Sequence, residues 1–247
     1  GLAIYLYGQR HLPPEQPIVR TTATREKTPF TRDEWKGVIA LLLLWVPTIL
    51  FWATYEQQGN TIALWAEDAT DRTLSILSWS AEIPTTWFQA FNPFMIFAFT
   101  PGIVALWNWQ AKRRREPTTL TKMALGCLGV ALANLIMVGA AHWVGADGKA
   151  SWLWLAGYFV VITIGELYLS PIGLSLVSKI APARILSMMM GLWFANIFIG
   201  NILAGWLGSL WSDMAKADFF LMIAAISAAA GVVIWLFNKP LSPILED

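Results

Sequence analysis

Six stretches of this chain run for about twenty residues or more almost without charge, the length an α-helix needs to cross the ~30 Å hydrocarbon core of a bilayer. They predict helices over residues 38–66, 87–111, 120–144, 152–177, 186–211 and 219–237. The apolar positions are continuous along each stretch, so none reads as the short alternating strand of an outer-membrane barrel. The fold class this predicts is an all-α membrane protein, a bundle of six transmembrane helices over residues 36–238. Residues 1–7, "GLAIYLY", read as the last two turns of a preceding transmembrane helix. Residues 8–35, with "HLPPEQP" and "TTATREKTP", read as a cytoplasmic linker with the proline content of a tether, and residues 239–247 as a cytoplasmic tail. Between the first two spans, Glu67, Asp68, Asp71 and Glu82 mark an acidic, turn-rich external segment.

Composition supports the pattern. The chain is 56% hydrophobic and 13% charged, with fifteen tryptophans in 247 residues, too apolar and aromatic for an ordinary soluble domain. A net charge of +1 gives no electrostatic footprint for nucleic acid. The single Cys127 excludes an internal disulfide framework. Basic residues orient the bundle: of the seventeen, only Arg72, Lys149 and Lys216 fall on one side. The other side holds the linker cations, the run Lys112, Arg113, Arg114 and Arg115, then Lys122, Lys179, Arg184 and Lys239. By the positive-inside rule that side is the cytoplasm, which places both chain ends there and the protein in a bacterial inner or plasma membrane. The 112–115 run is also of the kind that contacts anionic lipid, but topology alone accounts for it.

Of sixteen acidic residues, only Glu56 and Glu166 sit inside spans. A carboxylate facing lipid is costly, so each is expected to face a polar cavity or a partner. No Lys or Arg lies at their depth, so each is either protonated at rest or paired with a cation outside this chain. The bland alternative is a structural tie between helices. Polar neighbours recur at helical spacing: Trp52, Glu56 and Asn60 every four residues; Gln89 and Asn92 three apart, next to Pro93; Glu166 and Ser170 on one face, before Pro171; Trp193 and Asn196 on another. Gly200, Ala204 and Gly208 form a small-residue strip suited to close helix packing. His142, beside Trp143 near a span end, and the run Met188 to Met190 call for no function beyond packing.

These motifs carry a resemblance. "FWATYEQQG" (51–59), "QAFNPFMIF" (89–97), "GELYLSPIGLSLVSKIAP" (165–182) and "MMMGLWFANIFIGNILAG" (188–205) resemble the seventh, eighth, tenth and eleventh helices of proton-coupled oligopeptide transporters, the peptide transporter family of the major facilitator superfamily. The pattern Glu-x-x-x-Ser-Pro-x-Gly-x-Ser followed by Lys-x-Ala-Pro is specific to that family. The chain is thus similar to the carboxy-terminal half of such a transporter, and residues 1–12 would be the end of the sixth helix.

The resemblance implies a symporter that imports di- and tripeptides by alternating access, with protons as the coupling ion and no other cofactor. By motif position Glu166 would bind the peptide amino terminus and Asn92 would hydrogen-bond the peptide. Trp52, Trp193 and Ser170 would line the substrate site, Glu56 would couple the proton, and Pro171 with Gly173 would form a gating hinge. No metal and no catalytic residue is implied. The partners expected are di- and tripeptides, protons, membrane lipid and the amino-terminal six-helix half, with no nucleic acid. That other half would supply the family's Glu-x-x-Glu-Arg-Phe pattern, its tyrosines and a lysine to meet Glu56, and six helices are not expected to transport alone. The same scaffold carrying nitrate or a drug-like solute remains open, because a fold does not fix its cargo. An intramembrane enzyme using two carboxylates is a more distant reading, since the spans hold no Asp pair and no Ser–His constellation.

Overall fold

The computed structural model describes residues 29–76, 79–144 and 148–245. The expected helix end at 1–7 and linker residues 8–28 lie outside the described residues. Among the described residues, six helices are long and apolar enough to cross a membrane, as the hydrophobic pattern requires. The first span is built from α1 (Arg32–Tyr55), a 3-10 segment (Glu56–Gly59) and α2 (Thr61–Asp68). Five helices follow: α3 (Thr85–Lys112), α4 (Thr119–Val144), α5 (Trp152–Ile180), α6 (Leu186–Ser209) and α7 (Lys216–Leu245). Helix α1 begins at Arg32, inside the segment read as linker, and α7 continues through most of the segment read as a tail. Charge and proline signalled the edge of the apolar stretch there, and the helices outrun it.

The first span is interrupted where its polar residues sit. Tyr55 ends the α-helix, Glu56–Gly59 tighten into 3-10 geometry, and Asn60 adopts φ −116° and ψ −97°. Backbone groups freed by such a break need partners inside a membrane, and Gln57 supplies them. Its amide Nε2 donates to the carbonyls of Ala53 at 3.3 Å and Ala204 at 2.9 Å, and its Oε1 accepts from Thr61 at 3.0 Å. One side chain therefore stitches the two halves of the span to each other and to α6. The break also alters the expected stripe, since 3-10 turns advance 120° per residue and not 100°. Trp52 and Asn60 both meet α6, at Gly200 and Gly208, while Glu56 comes within electrostatic reach of Glu166 on α5.

Small residues set the helix spacing. A Cβ placed on Gly165 would meet the Gly126 carbonyl oxygen at 2.8 Å, and one on Gly129 would meet the Gly165 Cα at 2.9 Å. Helices α4 and α5 thus cross backbone to backbone. Ser227 of α7 donates to the Cys127 carbonyl at 2.8 Å, tying α7 to α4. The Gly200–Ala204–Gly208 strip of α6 receives Trp52, Gln57 and Asn60.

At the end opposite the 112–115 run, the turn-rich segment forms short strands. The pair β1 (Thr70–Asp71) and β4 (Ala150–Ser151) is parallel, and β2 (Thr73–Ile76) pairs with β3 (Trp79–Glu82) antiparallel. Arg72 bridges to Glu82 at 2.6 Å. The Thr73 backbone N–H, donating to Asp71 Oδ1 at 3.0 Å, holds that carboxyl below its ordinary range. The sequence announced turns here, and two- to four-residue strands are too short for alternation to show.

Candidate functional site

Three helices converge on one polar cluster. Asn92, one of two residues of α3 that are buried, points its amide at α5. Its Nδ2 donates to Glu166 Oε2 at 3.0 Å and to Thr163 Oγ1 at 3.2 Å. Thr163 and Glu166 are three residues apart, so they share a face of α5. From α1, the Tyr55 hydroxyl donates to Asn92 Oδ1 at 3.4 Å and lies beside the Glu166 carboxylate. Asn92 thus joins α1 to α5, its amide oriented by a donor on one side and acceptors on the other.

Glu166 itself is half-buried and Glu56 is half-buried. Among the described residues neither forms an ion pair, and the four salt bridges present all lie near the helix ends or in the loops. Glu56 lies close enough to Glu166 for the two, if both ionised, to repel one another. An arrangement of two carboxylates, an oriented amide, a phenol and a hydroxyl, with no cation of its own, suits a cationic guest. No group of three or more His, Cys, Asp or Glu that could hold a metal occurs among the described residues.

The remaining candidates fall elsewhere. Trp52 is buried, stacks edge-on to Tyr55 with ring centroids 5.5 Å apart, and rests on Gly200. It touches the cluster through Tyr55 and its body lies in the α1–α6 interface. Trp193 is also buried, with its ring tip seated on Gly173, where a Cβ would stand 2.1 Å from the indole. Gly173 therefore makes room for Trp193, a packing role beside the hinge expected from sequence. Next to it, Asn196 donates to Thr48 Oγ1 at 2.5 Å across α1 and α6. Ser170 is half-buried one turn beyond Glu166. Pro171 is exposed, and α5 runs through it without interruption.

Sequence reasoning missed Tyr55, Thr163 and Gln57. Thr163 stands three residues before Glu166, and Gln57 four before Thr61, so helical spacing held both signals. Tyr55 gave none, because an aromatic among Phe51 and Trp52 reads as packing.

Comparison with known proteins adds an independent line. The model described as the POT family matches residues 14–229. A di-/tripeptide transporter of Lactococcus lactis subsp. cremoris is 30% identical over 215 residues, which cover 87% of this chain and 43% of that protein. A peptide transporter of Yersinia enterocolitica subsp. palearctica is 34% identical over 206 residues, covering 83% of this chain and 39% of that protein. Among solved structures, a mutant form of a peptide transporter POT in complex with sulfate superposes with a TM-score of 0.79 at 27% identity, over 91% of this chain and 44% of that one. The chain spans less than half the length of these relatives.

Proposed function

The chain belongs to the POT family of membrane transporters, and from that premise we propose that it supplies the carboxy-terminal half of the cavity of a proton-coupled symporter for di- and tripeptides. The observation that carries this reading is the Tyr55–Asn92–Glu166 cluster, in which a half-buried carboxylate has an oriented amide beside it and no cation among the described residues. A peptide's free ammonium supplies the missing charge. Binding it exchanges the amide contact of Glu166 for a charge-assisted hydrogen bond, and it leaves the Asn92 amide free to turn to the peptide. A nitrate-carrying site would gather cations instead, which these residues do not.

Proton coupling follows from the second carboxylate. With both ionised, Glu56 and Glu166 repel. A proton on Glu56 removes that repulsion as the ammonium binds at Glu166. Alternating access then needs a second bundle rocking against this one about the midplane site, and an amino-terminal six-helix half is the partner we propose. The end bearing the Arg113, Arg114, Lys122, Lys179 and Arg184 cations faces the cytoplasm of a bacterial inner membrane in this reading.

The test is Glu166→Gln in the complete transporter. The change keeps the shape and removes the charge, a contact worth about 1.5–3 kcal/mol, so affinity for free dipeptides falls about tenfold or more. Amino-blocked dipeptides, which bring no ammonium, lose little. Equal losses for both would overturn the amine assignment.

A further inference from the structure

A sizeable cavity lies away from the Glu166 cluster. It has a volume of about 680 Å³ and lies where the basic ends of α3, α4 and α5 meet, lined by Trp107, Glu116, Thr119, Lys122, Ser175 and Lys179 among others. At ~30 Å³ per water it holds the equivalent of roughly twenty waters. Ser175 is nine residues beyond Glu166, two and a half turns of α5, so it projects from the opposite face of that helix. Lys179, one turn further, follows it. A guest here does not meet the Tyr55–Asn92–Glu166 cluster.

The chemistry of the cavity favours an anion. Lys122 and Lys179 face a single Glu116, which leaves a surplus positive charge. Lys122 is buried, bridges to Glu116 at 2.5 Å and stands 4.7 Å from the centroid of the Trp107 ring, so its ammonium is fixed at the inner wall. Lys179 is exposed and forms no ion pair among the described residues. The Ser175 hydroxyl lines the same space. One ammonium is preset and one is free to close, and a hydroxyl donor shares the lining, an arrangement that fits phosphate oxygens.

The setting selects a lipid. Helix α3 ends in a turn where the Arg115 N–H reaches the Gln110 carbonyl and the Arg114 N–H the Ala111 carbonyl, both at 2.9 Å. Arg114 holds φ 53°, a left-handed position at which glycine is usual. A cation is kept there at a local cost, in the basic run two residues before Glu116 of the cavity lining. Exposed Trp109, with Arg113 4.2 Å above its ring, marks the level of an interfacial aromatic belt. Apolar lining from Ile172, Leu176 and Leu245 suits the glycerol and upper acyl part of a lipid, and no soluble anion needs it. We propose that this cavity is a binding site for the headgroup of an acidic phospholipid, held between Lys122 and Lys179 and separate from the transported substrate.

The test uses the intact protein, purified in detergent and titrated with phosphatidylglycerol, phosphatidylcholine or inorganic phosphate, with bound lipid counted by native mass spectrometry. Phosphatidylglycerol is retained over phosphatidylcholine, and Lys179→Gln weakens its binding about tenfold, the effect of one charged hydrogen bond. Ser175→Phe, which fills the cavity and leaves every charge in place, causes a comparable loss. Arg114→Gly changes retention less than twofold, and none of the variants alters dipeptide affinity. An Arg114→Gly loss as large as that of Lys179→Gln would mean diffuse attraction by the loop and would overturn the site. Displacement of phosphatidylglycerol by millimolar phosphate would overturn the lipid assignment, and undiminished binding in Ser175→Phe would do the same for the cavity.

Discussion

Two intramembrane carboxylates, Glu56 and Glu166, stand out because burial without a cation is costly. Their neighbours divide the work proposed for them: Glu166 is held by Asn92, whereas Glu56 has no hydrogen bond or ion pair among the described residues and lies near Glu166 of α5. A residue that must gain and lose a proton in each cycle is better left without a fixed donor, and Glu56 meets that condition. Glu56→Gln, locked in a protonated-like form, is expected to abolish dipeptide uptake driven by an imposed proton gradient. Counterflow between equal peptide pools, which requires no net proton movement, should persist. Radiolabelled dipeptide in proteoliposomes reads both, and gradient-driven accumulation by the variant would remove Glu56 from the coupling role. The sequence made this pair legible, because two charges in otherwise apolar spans stand out at once. It did not reveal the company they keep. Asn92 was visible as a polar residue next to a proline, but its contacts with Thr163 and Tyr55 depend on how three helices meet, and periodicity within one helix carries no such information.

Element existence was almost wholly readable, since continuous apolar runs of this length admit little but helices in a bilayer. Breaks and crossings were less so. The Glu56–Gly59 tightening needs the Ala204 carbonyl of a distant helix to accept from Gln57, a dependence invisible in "EQQG". Likewise the sequence drew attention to the Gly200–Ala204–Gly208 strip and passed over Gly126, Gly129 and Gly165, which are spread across two helices and form no strip in either. Their contact brings α4 and α5 together backbone to backbone, and it sits beside the functional cluster because Gly165 precedes Glu166. Gly165→Ala forces a Cβ to within 2.8 Å of a carbonyl oxygen that cannot move without its helix. The expected cost is about 1–3 kcal/mol, typical of overpacking, with displaced Glu166 and weaker dipeptide binding. Gly191→Ala on α6, where nothing lies within 4 Å, is expected to be neutral or slightly stabilising, since glycine in a helix interior costs about 0.5–1 kcal/mol relative to alanine. Thermal unfolding in detergent, followed for both variants, separates a local crossing effect from a general sensitivity of glycines.

At the scale of the whole molecule the bundle has two kinds of outer surface. Helices α4 and α7 pack closely on each other, while α3 and α6 leave most of their length uncovered, with Phe97 83% exposed and Phe94, Phe198, Ile202 and Trp206 exposed as well. Lipid could cover apolar side chains such as these. It is a poor neighbour for Gln89 and Asn108 on α3 and Asn201 on α6, which are exposed on the same helices. Gly102 on α3 and Gly191 and Gly205 on α6 also open onto empty space, and small residues on a helix face favour the close approach of another helix over contact with acyl chains. Polar and small positions among aromatic ones therefore point to protein cover on α3 and α6, consistent with a proposed second bundle and with a chain that spans 43% of its Lactococcus relative. The expected outcome is complementation: produced together with a matching amino-terminal six-helix half, this chain supports proton-driven dipeptide uptake, and produced alone it does not, because lipid would then line one side of the cavity. Gly205→Trp, which fills an open position on α6 without touching the Glu166 cluster, should impair complementation while leaving the isolated bundle as stable to heat as before. Robust uptake by the chain alone, or full complementation by Gly205→Trp, would show that the exposed faces of α3 and α6 are not where the second half docks.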